Sequence, residues 1–180
     1  MKKLLSASIL LFNCLTGPTV ATATHLENMY NTPESGAPIT VNLYATSQDG
    51  TSGAKLGTVT LEISKYGLLI TPALKKLPTG ILGFHIHTTA DCARFGDAAG
   101  AHLDPEQKNM HLGPYNDGGH LGDIPDLSVD ENGHATLSIL APRITHLATV
   151  KHHALIIHDH MDNYTDTNKH GARIACGIIE

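Results

Sequence analysis

Two histidines placed two positions apart open the part of this sequence that could bind a transition metal. In the run GFHIH at residues 83–87, apolar residues and histidines alternate. On a β-strand, side chains two positions apart share one face, so His85 and His87 are predicted to point outward together, away from the core. Two imidazoles placed in this way are half of a metal site. By itself the pattern is weak evidence, because His-x-His also arises by chance.

A second group of possible ligands follows in a polar segment rich in glycine and proline. Its members are His102, His111, His120 and Asp123, with the histidines nine residues apart and the aspartate three residues further on. Three imidazole nitrogens and one carboxylate oxygen form a closed tetrahedral set of the kind that holds structural Zn²⁺. The alternative is a solvated loop with incidental histidines, but it leaves the flanking glycines and prolines unexplained. The spacing therefore favours a zinc site that orders the loop.

The elements that position these groups are predicted to be β-strands. No segment shows a sustained helical stripe, and short runs rich in Val, Ile, Thr and Leu are separated by turn formers. The predicted strands cover 38–45, 55–64, 68–72, 81–88, 135–140, 154–158 and 173–179. Many short strands of this kind are typical of an all-β sandwich or barrel. The long polar segments 89–130 and 159–171 are predicted to be functional loops.

Residues 1–23 have the features of a cleaved signal peptide. A short basic start precedes an apolar run over 4–15 that is too short to span a bilayer, and 21–23 is Ala-Thr-Ala, which fits a signal-peptidase site. We therefore expect export, with 24–180 as a single mature domain. A membrane anchor would need a longer apolar stretch. Lipoprotein processing at Cys14 is a further alternative, but the residues before it are not the small ones that such processing needs.

The exported chain would be acidic and would hold one pair of cysteines. Loss of the signal peptide removes two lysines and no acid, which changes the formal net charge from −5 to −7. An acidic chain without a block of lysines or arginines is not expected to bind nucleic acid or a membrane surface. Cys92 and Cys176 remain after cleavage, and outside the cell two cysteines are more often bonded than free. Two unrelated buried thiols are the alternative.

Taken together, the motifs resemble those of the bacterial, periplasmic branch of the copper,zinc superoxide dismutases. The matching runs follow the family's order over essentially the whole exported chain, and they are GFHIH, GAHLDP, HLGP, GHLGD, LIIH and GARIACG. The resemblance implies an all-β fold, an eight-stranded Greek-key β-barrel or sandwich with two long functional loops, the zinc loop and the electrostatic loop. It also implies a location in the periplasm.

The resemblance implies a set of ligands for each metal. The residues implied to bind copper are His85, His87, His102 and His158. The residues implied to bind zinc are His102, His111, His120 and Asp123. His102 would therefore bridge the two metals through both of its ring nitrogens. Four imidazoles suit Cu(II), whereas Cu(I) accepts three. The bond between copper and His102 is therefore expected to break and re-form during turnover.

Two further residues match positions that the family places around the copper. Asp162 would accept hydrogen bonds from His85 and His111 and fix the orientation of both rings. Arg173 would orient a small anion such as superoxide. The Cys92–Cys176 bond would tie its loop to the strand that carries Arg173.

The implied reaction converts two superoxide anions and two protons into oxygen and hydrogen peroxide, with copper as the redox centre and Arg173 and His102 in catalytic roles. A non-enzymatic copper- and zinc-binding or buffering protein could use the same ligands and is the alternative. Two departures from the family concern the steering of the anion. The loop between Cys92 and His102 is short for a bacterial member, and the glycine run before Arg173 is reduced to Gly171.

A symmetric homodimer is predicted from one aromatic residue. Bacterial relatives that dimerise tend to place an aromatic residue just after the Gly-Pro that follows the second zinc histidine, and Gly113-Pro114-Tyr115 keeps that feature. Aromatic side chains carry much of the binding energy at interfaces. The alternative is a tyrosine that packs on its own loop.

Overall fold

The computed structural model describes residues 36–164 and 171–180. The signal peptide predicted at residues 1–23 lies outside the described residues, as do Cys14 and the start of the predicted mature chain. Within the described part, nine strands are present. They are β1 (Ile39–Ala45), β2 (Lys55–Ser64), β3 (Gly67–Leu74), β4 (Gly80–Leu82), β5 (Phe84–His87), β6 (Leu127–Val129), β7 (Ile139–Ala141), β8 (Ala154–His158) and β9 (Arg173–Ile178). Two short 3₁₀ turns, Asp97–Ala99 and Leu147–Thr149, lie between strands. The described residues contain no apolar helix of membrane-spanning length.

The strands form one curled antiparallel sheet and one short pair. Seven strands are joined in the order β5-β8-β9-β1-β2-β3-β7, and β4 pairs with β6. The last strand, β9, therefore lies beside the first, β1, so connections must cross the ends of the sheet. This arrangement confirms the predicted all-β class.

The observed strands differ from the predicted runs at three places. The run at 81–88 is divided at Gly83, because β4 pairs with β6 while β5 pairs with β8. The run at 135–140 is a strand only from Ile139, although Ala135 still forms an isolated bridge with Leu74. Strand β6 lies within the segment predicted to be a loop, where three residues give too short an alternation to recognise. The described strands therefore number nine rather than eight.

Alternation along β5 places its histidines. Phe84 and Ile86 are fully buried in the main hydrophobic core, and burial of each such side chain contributes about 1.5–3 kcal/mol. A slip of one residue would move both out of the core, so packing fixes the register. The histidines on the opposite face are 2% and 1% exposed, because the long loops cover that face. In β8 the same alternation ends at His158, which pairs with Arg173 of β9.

The predicted disulfide is present. Cys92 and Cys176 are bonded, with their Cα atoms 5.8 Å apart and 84 residues between them in sequence. In the chain-entropy account, closing a loop of this length removes about 4–5 kcal/mol of unfolded-state entropy. The bond joins the loop after β5 to β9, the strand that begins with Arg173.

Candidate metal centre

Three histidines on strands present ring nitrogens to one point. His85 and His87 on β5 and His158 at the end of β8 are at most 3% exposed, and His85 Nδ1, His87 Nε2 and His158 Nε2 make no hydrogen bond within the described residues. With one nitrogen of His102, these ligand atoms lie within 4.8 Å of one another. A buried polar atom left without a partner costs about 1–3 kcal/mol. A metal ion bound by these nitrogens would satisfy all three.

The second nitrogen of each of these rings is already bonded. His87 Nδ1 donates to the carbonyl of Gly100 at 2.8 Å, and His158 Nδ1 donates to the carbonyl of Gly171 at 2.7 Å. His85 Nε2 lies 2.8 Å from a carboxylate oxygen of Asp162. Because a carbonyl only accepts, the proton stays on the bonded nitrogen and the lone pair is directed to the common point. The tautomers therefore suit a copper site.

A second group of side chains converges on one buried carboxylate. The Nδ1 atoms of His102, His111 and His120 lie 2.8, 3.0 and 3.3 Å from the oxygens of Asp123. Their four ligand atoms lie within 4.8 Å of one another. Three nitrogens and one oxygen at this spacing form the closed set that zinc prefers. His102 belongs to both groups, with its Nδ1 on the Asp123 side.

The loop that carries these ligands is held against the edge of β5 by backbone pairing. Ile86 donates to the carbonyl of Gly122 at 3.0 Å and accepts from the N–H of Leu103 at 2.8 Å. Isolated bridges also join His85 to Asp123 and His87 to His102. A Cβ at Gly122 would clash with the carbonyl oxygen of Ile86, so this position requires glycine. The pairing brings loop ligands beside strand ligands.

Asp162 contacts both groups. Its two oxygens lie 2.8 Å from His85 Nε2 and 2.8 Å from His111 Nε2, and its side chain is 6% exposed. Burial alone would raise the pKa of this carboxyl, but the hydrogen bonds from His111 and His85 hold it well below its ordinary value. The ionised carboxylate therefore orients one ring in each group.

The two groups differ in their charge. Burial lowers the pKa of His85 to about 3 and the pKa of His158 to about 4, so both rings are neutral at neutral pH. Burial acts in the same direction on His111, but the carboxylates of Asp123 and Asp162 outweigh it and raise the pKa of that ring to about 9. The loop group is thus built around negative charge that attracts a cation.

A cavity of about 500 Å³ leads to the strand group, and it is lined in part by His87, His158 and Arg173. The guanidinium of Arg173 donates to the carbonyl of Gly96 at 2.6 Å and to that of Gly100 at 2.8 Å. Arg173 therefore presents a fixed positive charge beside the histidines.

Two other residues, His160 and Tyr115, belong to neither group. His160 is 57% exposed and pairs with Asp159 at 2.6 Å, and Tyr115 is 72% exposed. The segment 165–170 lies outside the described residues.

The sequence did not reveal the carbonyls of Gly96, Gly100 and Gly171 as partners of Arg173, His87 and His158. Their only signal is that each is a glycine, whose backbone can approach a side chain closely.

The sequence matches the family described as copper/zinc superoxide dismutase (SODC) over residues 55–179. It is 45% identical over 141 residues to the superoxide dismutase [Cu-Zn] of Photobacterium leiognathi, covering 72% of this chain and 81% of the relative. It is 44% identical over 145 residues to that of Legionella pneumophila, covering 79% of this chain and 86% of the relative.

Solved structures agree in fold. The Cu/Zn superoxide dismutase from Brucella abortus superposes with a TM-score of 0.73 at 37% identity, over 79% of this chain and 99% of that one. The solution structure of the monomeric copper, zinc superoxide dismutase from Salmonella enterica gives a TM-score of 0.71 at 40% identity, over 80% of this chain and 100% of that one. The predicted Greek-key β-barrel is therefore confirmed, and the chain belongs to the copper/zinc superoxide dismutase family.

Proposed function

We propose that this chain dismutes superoxide to oxygen and hydrogen peroxide, with one copper and one zinc ion per chain as cofactors. The observation that carries the proposal is the set of three buried histidine nitrogens without hydrogen-bond partners among the described residues, two of which belong to His87 and His158, which line the same cavity as Arg173. A metal site that serves only storage does not need a fixed cation beside an open approach.

The two groups divide the metals between them. Copper would be held by His85, His87 and His158, through the nitrogens that lack hydrogen-bond partners, and by His102. Zinc would be held by His102, His111, His120 and Asp123. The neutral imidazoles of the strand group are the form that binds copper, and the closed set with a carboxylate is the form that binds structural zinc.

The chain's own residues bind the anion and move the proton. Copper, when bound, supplies the one-electron oxidation of one superoxide and the one-electron reduction of the next. Arg173 orients each anion in the cavity with its fixed guanidinium. His102 holds a proton between the two half-reactions. Its Nδ1 lies on the Asp123 side, where it would be a zinc ligand, so Nε2 is the nitrogen left to hold the proton. The second proton of hydrogen peroxide comes from water.

Electrostatics near the cavity matter because the exported chain carries a formal charge of −7. This charge opposes the approach of an anion, so the positive charge of Arg173 must prevail at short range. Lys169, which could add to it, lies outside the described residues. We expect the rate of the native protein to fall as salt rises, because screening weakens a local attraction.

We also propose that the protein acts in the periplasm after cleavage of residues 1–23, with 24–180 as the mature domain. The Cys92–Cys176 bond supports an oxidising compartment. The net negative charge supports the absence of nucleic acid and of a membrane surface among its partners.

A symmetric homodimer is part of the proposal. Tyr115 is 72% exposed and Met110, on the same segment, is 50% exposed. A tyrosine packed on its own loop would be more buried, so a contact with a second copy is favoured. The related Salmonella enterica structure is described as monomeric.

The function is tested with the exported protein loaded with copper and zinc. Metal analysis should give one of each per chain, and the protein should accelerate superoxide decay. Arg173→Gln should keep both metals and slow turnover, whereas Lys151→Gln, which removes an exposed cation elsewhere, should leave the rate unchanged. Full metal content without any superoxide turnover would support the buffering alternative, and absence of metal would contradict both functions.

A further inference from the structure

Arg143 lies outside every segment that carries a metal ligand. It follows β7 in the connection that leads to β8, and its side chain is partly buried. Within the described residues, its hydrogen bonds run to backbone carbonyls of the segment between His111 and Asp123. Nε donates to the carbonyl of Pro114 at 3.0 Å, and Nη1 donates to that of Gly119 at 3.1 Å. Nη2 faces three carbonyls, those of His120, of Gly113 at 3.5 Å and of Asp123 at 3.5 Å.

The guanidinium is matched to carbonyls and not to a carboxylate. Among residues 36–164 and 171–180, no carboxylate forms an ion pair with Arg143. Arginine has five N–H donors in a rigid plane, so one side chain can gather several carbonyls at once. A lysine ammonium at the same place has three donors around one atom and cannot span the same set.

These carbonyls belong to two arms of residues 111–123, the zinc segment. Gly113 and Pro114 follow His111 directly on one arm, while Gly119 precedes His120 on the other. Gly113 has a φ of 83°, and a Cβ there would lie 3.0 Å from the ring of Tyr164, so glycine is required at the turn. The arms are otherwise joined by the bond from the His120 N–H to the Met110 carbonyl at 2.9 Å.

We infer that Arg143 is a positioning residue for zinc, which sets the distance between the arm that carries His111 and the arm that carries His120 and Asp123. This inference rests on the proposed zinc site. Asp123 and Asp162 orient the ligand side chains, whereas Arg143 fixes the backbone from which those side chains extend. Loss of partners that orient metal ligands lowers metal affinity by about 10–100-fold.

The test measures zinc affinity by competition with a chromogenic chelator, using the metal-free exported protein. Arg143→Gln should lose about 10–100-fold in zinc affinity. Arg143→Lys keeps the charge and should recover only part of the loss, because a single ammonium reaches fewer carbonyls. The matched control is Lys151→Gln, an exposed cation of the same connection, which should bind zinc as the native protein does.

Thermal unfolding separates positioning from general stability. A ligand that binds the folded state raises the melting temperature according to its affinity. The rise produced by zinc should therefore be smaller in both Arg143 variants, while their metal-free melting temperatures stay close to that of the native protein. If Arg143→Gln fails to fold without metal, the same comparison is made with Arg143→Lys.

Two results would overturn the inference. If the Arg143 variants melt lower without metal but bind zinc as tightly as the native protein, Arg143 has a structural role only. If the native protein itself binds no zinc, the proposed zinc site fails and this inference fails with it. The native protein in the same titration distinguishes the two cases.

Discussion

The strand group of histidines and the loop group share His102, but they are built in different ways. His85, His87 and His158 lie on strands whose register is fixed by the core, and their rings are tied to nearby backbone or to Asp162. The loop ligands extend from a segment that has no regular strand between Leu103 and Ile124. Backbone pairing to β5 and the carbonyl contacts of Arg143 supply the order that a strand would give. The strand group is thus positioned by the sheet, and the loop group by contacts from outside the loop.

The strand group and the loop group also differ in charge. The strand histidines are kept neutral, with the pKa of His85 lowered to about 3 by burial. Around the loop group, Asp123, Asp126 and Asp162 bring negative charge into buried or partly buried positions, and all three interact with His111. A divalent cation would compensate this charge. We therefore expect that copper can be removed from the strand group without loss of zinc from the loop group, and that zinc binding to the loop group depends on the charge around it.

The largest expected effect comes from removing one strand ligand. His158→Ala deletes a ligand that belongs only to the copper group, so the protein should lose copper and all copper-dependent superoxide turnover while it retains zinc and its fold. Metal analysis and a superoxide decay assay measure both outcomes. His160→Ala is the matched control, because that neighbouring histidine is 57% exposed and should be dispensable. Turnover by a copper-free His158→Ala protein would contradict the assignment.

The comparison also explains how much the sequence could predict. Alternation in GFHIH was enough to place His85 and His87 on one face, because a strand has a fixed period and the core selects its register. The residue types and spacing of the loop ligands predicted their chemistry. Their geometry depends on Arg143, which is 20 to 30 residues away from the carbonyls that it binds. No local pattern reports such a contact, and none reported the division of the strand at Gly83.

A smaller effect, on stability, is expected from Asp126, a carboxylate that interacts with His111 of the loop group but is not a proposed metal ligand. Burial raises the pKa of Asp126 to about 6, and its Oδ1 has no hydrogen-bond partner among the described residues. Between about pH 4 and pH 6 the folded chain therefore binds more protons at this group than the unfolded chain, so its contribution to stability falls as pH rises. Asp126→Asn removes this titration. The metal-free variant should gain on the order of 1 kcal/mol over the native chain at about pH 7 and little at about pH 4, since solvent screens a half-buried group.

Denaturant unfolding of both metal-free proteins across this pH range measures the gain. Titrating groups that do not interact with Asp126 are common to the two chains and cancel in the difference. Glu131→Gln is the control for loss of an exposed carboxylate and should show no such pH dependence. A gain for Asp126→Asn that is the same at both ends of the range would show that the pKa of Asp126 is not raised.

The smallest effect on the centre is expected from the dimer contact, because it acts on the zinc segment from outside. Tyr115 lies next to Pro114, whose carbonyl binds Arg143, so a second copy seated on Tyr115 would stiffen the loop side and leave the strand side unaffected. Sedimentation of the native protein at micromolar concentration should give twice the mass of the mature chain. Tyr115→Glu should halve that mass and slightly speed zinc release to a chelator, with no change in copper content.

Tyr66→Glu is the control, since that tyrosine is 64% exposed on the hairpin between β2 and β3, away from the zinc segment. A native protein that sediments as a monomer would end the dimer proposal and leave Arg143, Asp162 and the pairing to β5 as the contacts that order the zinc side.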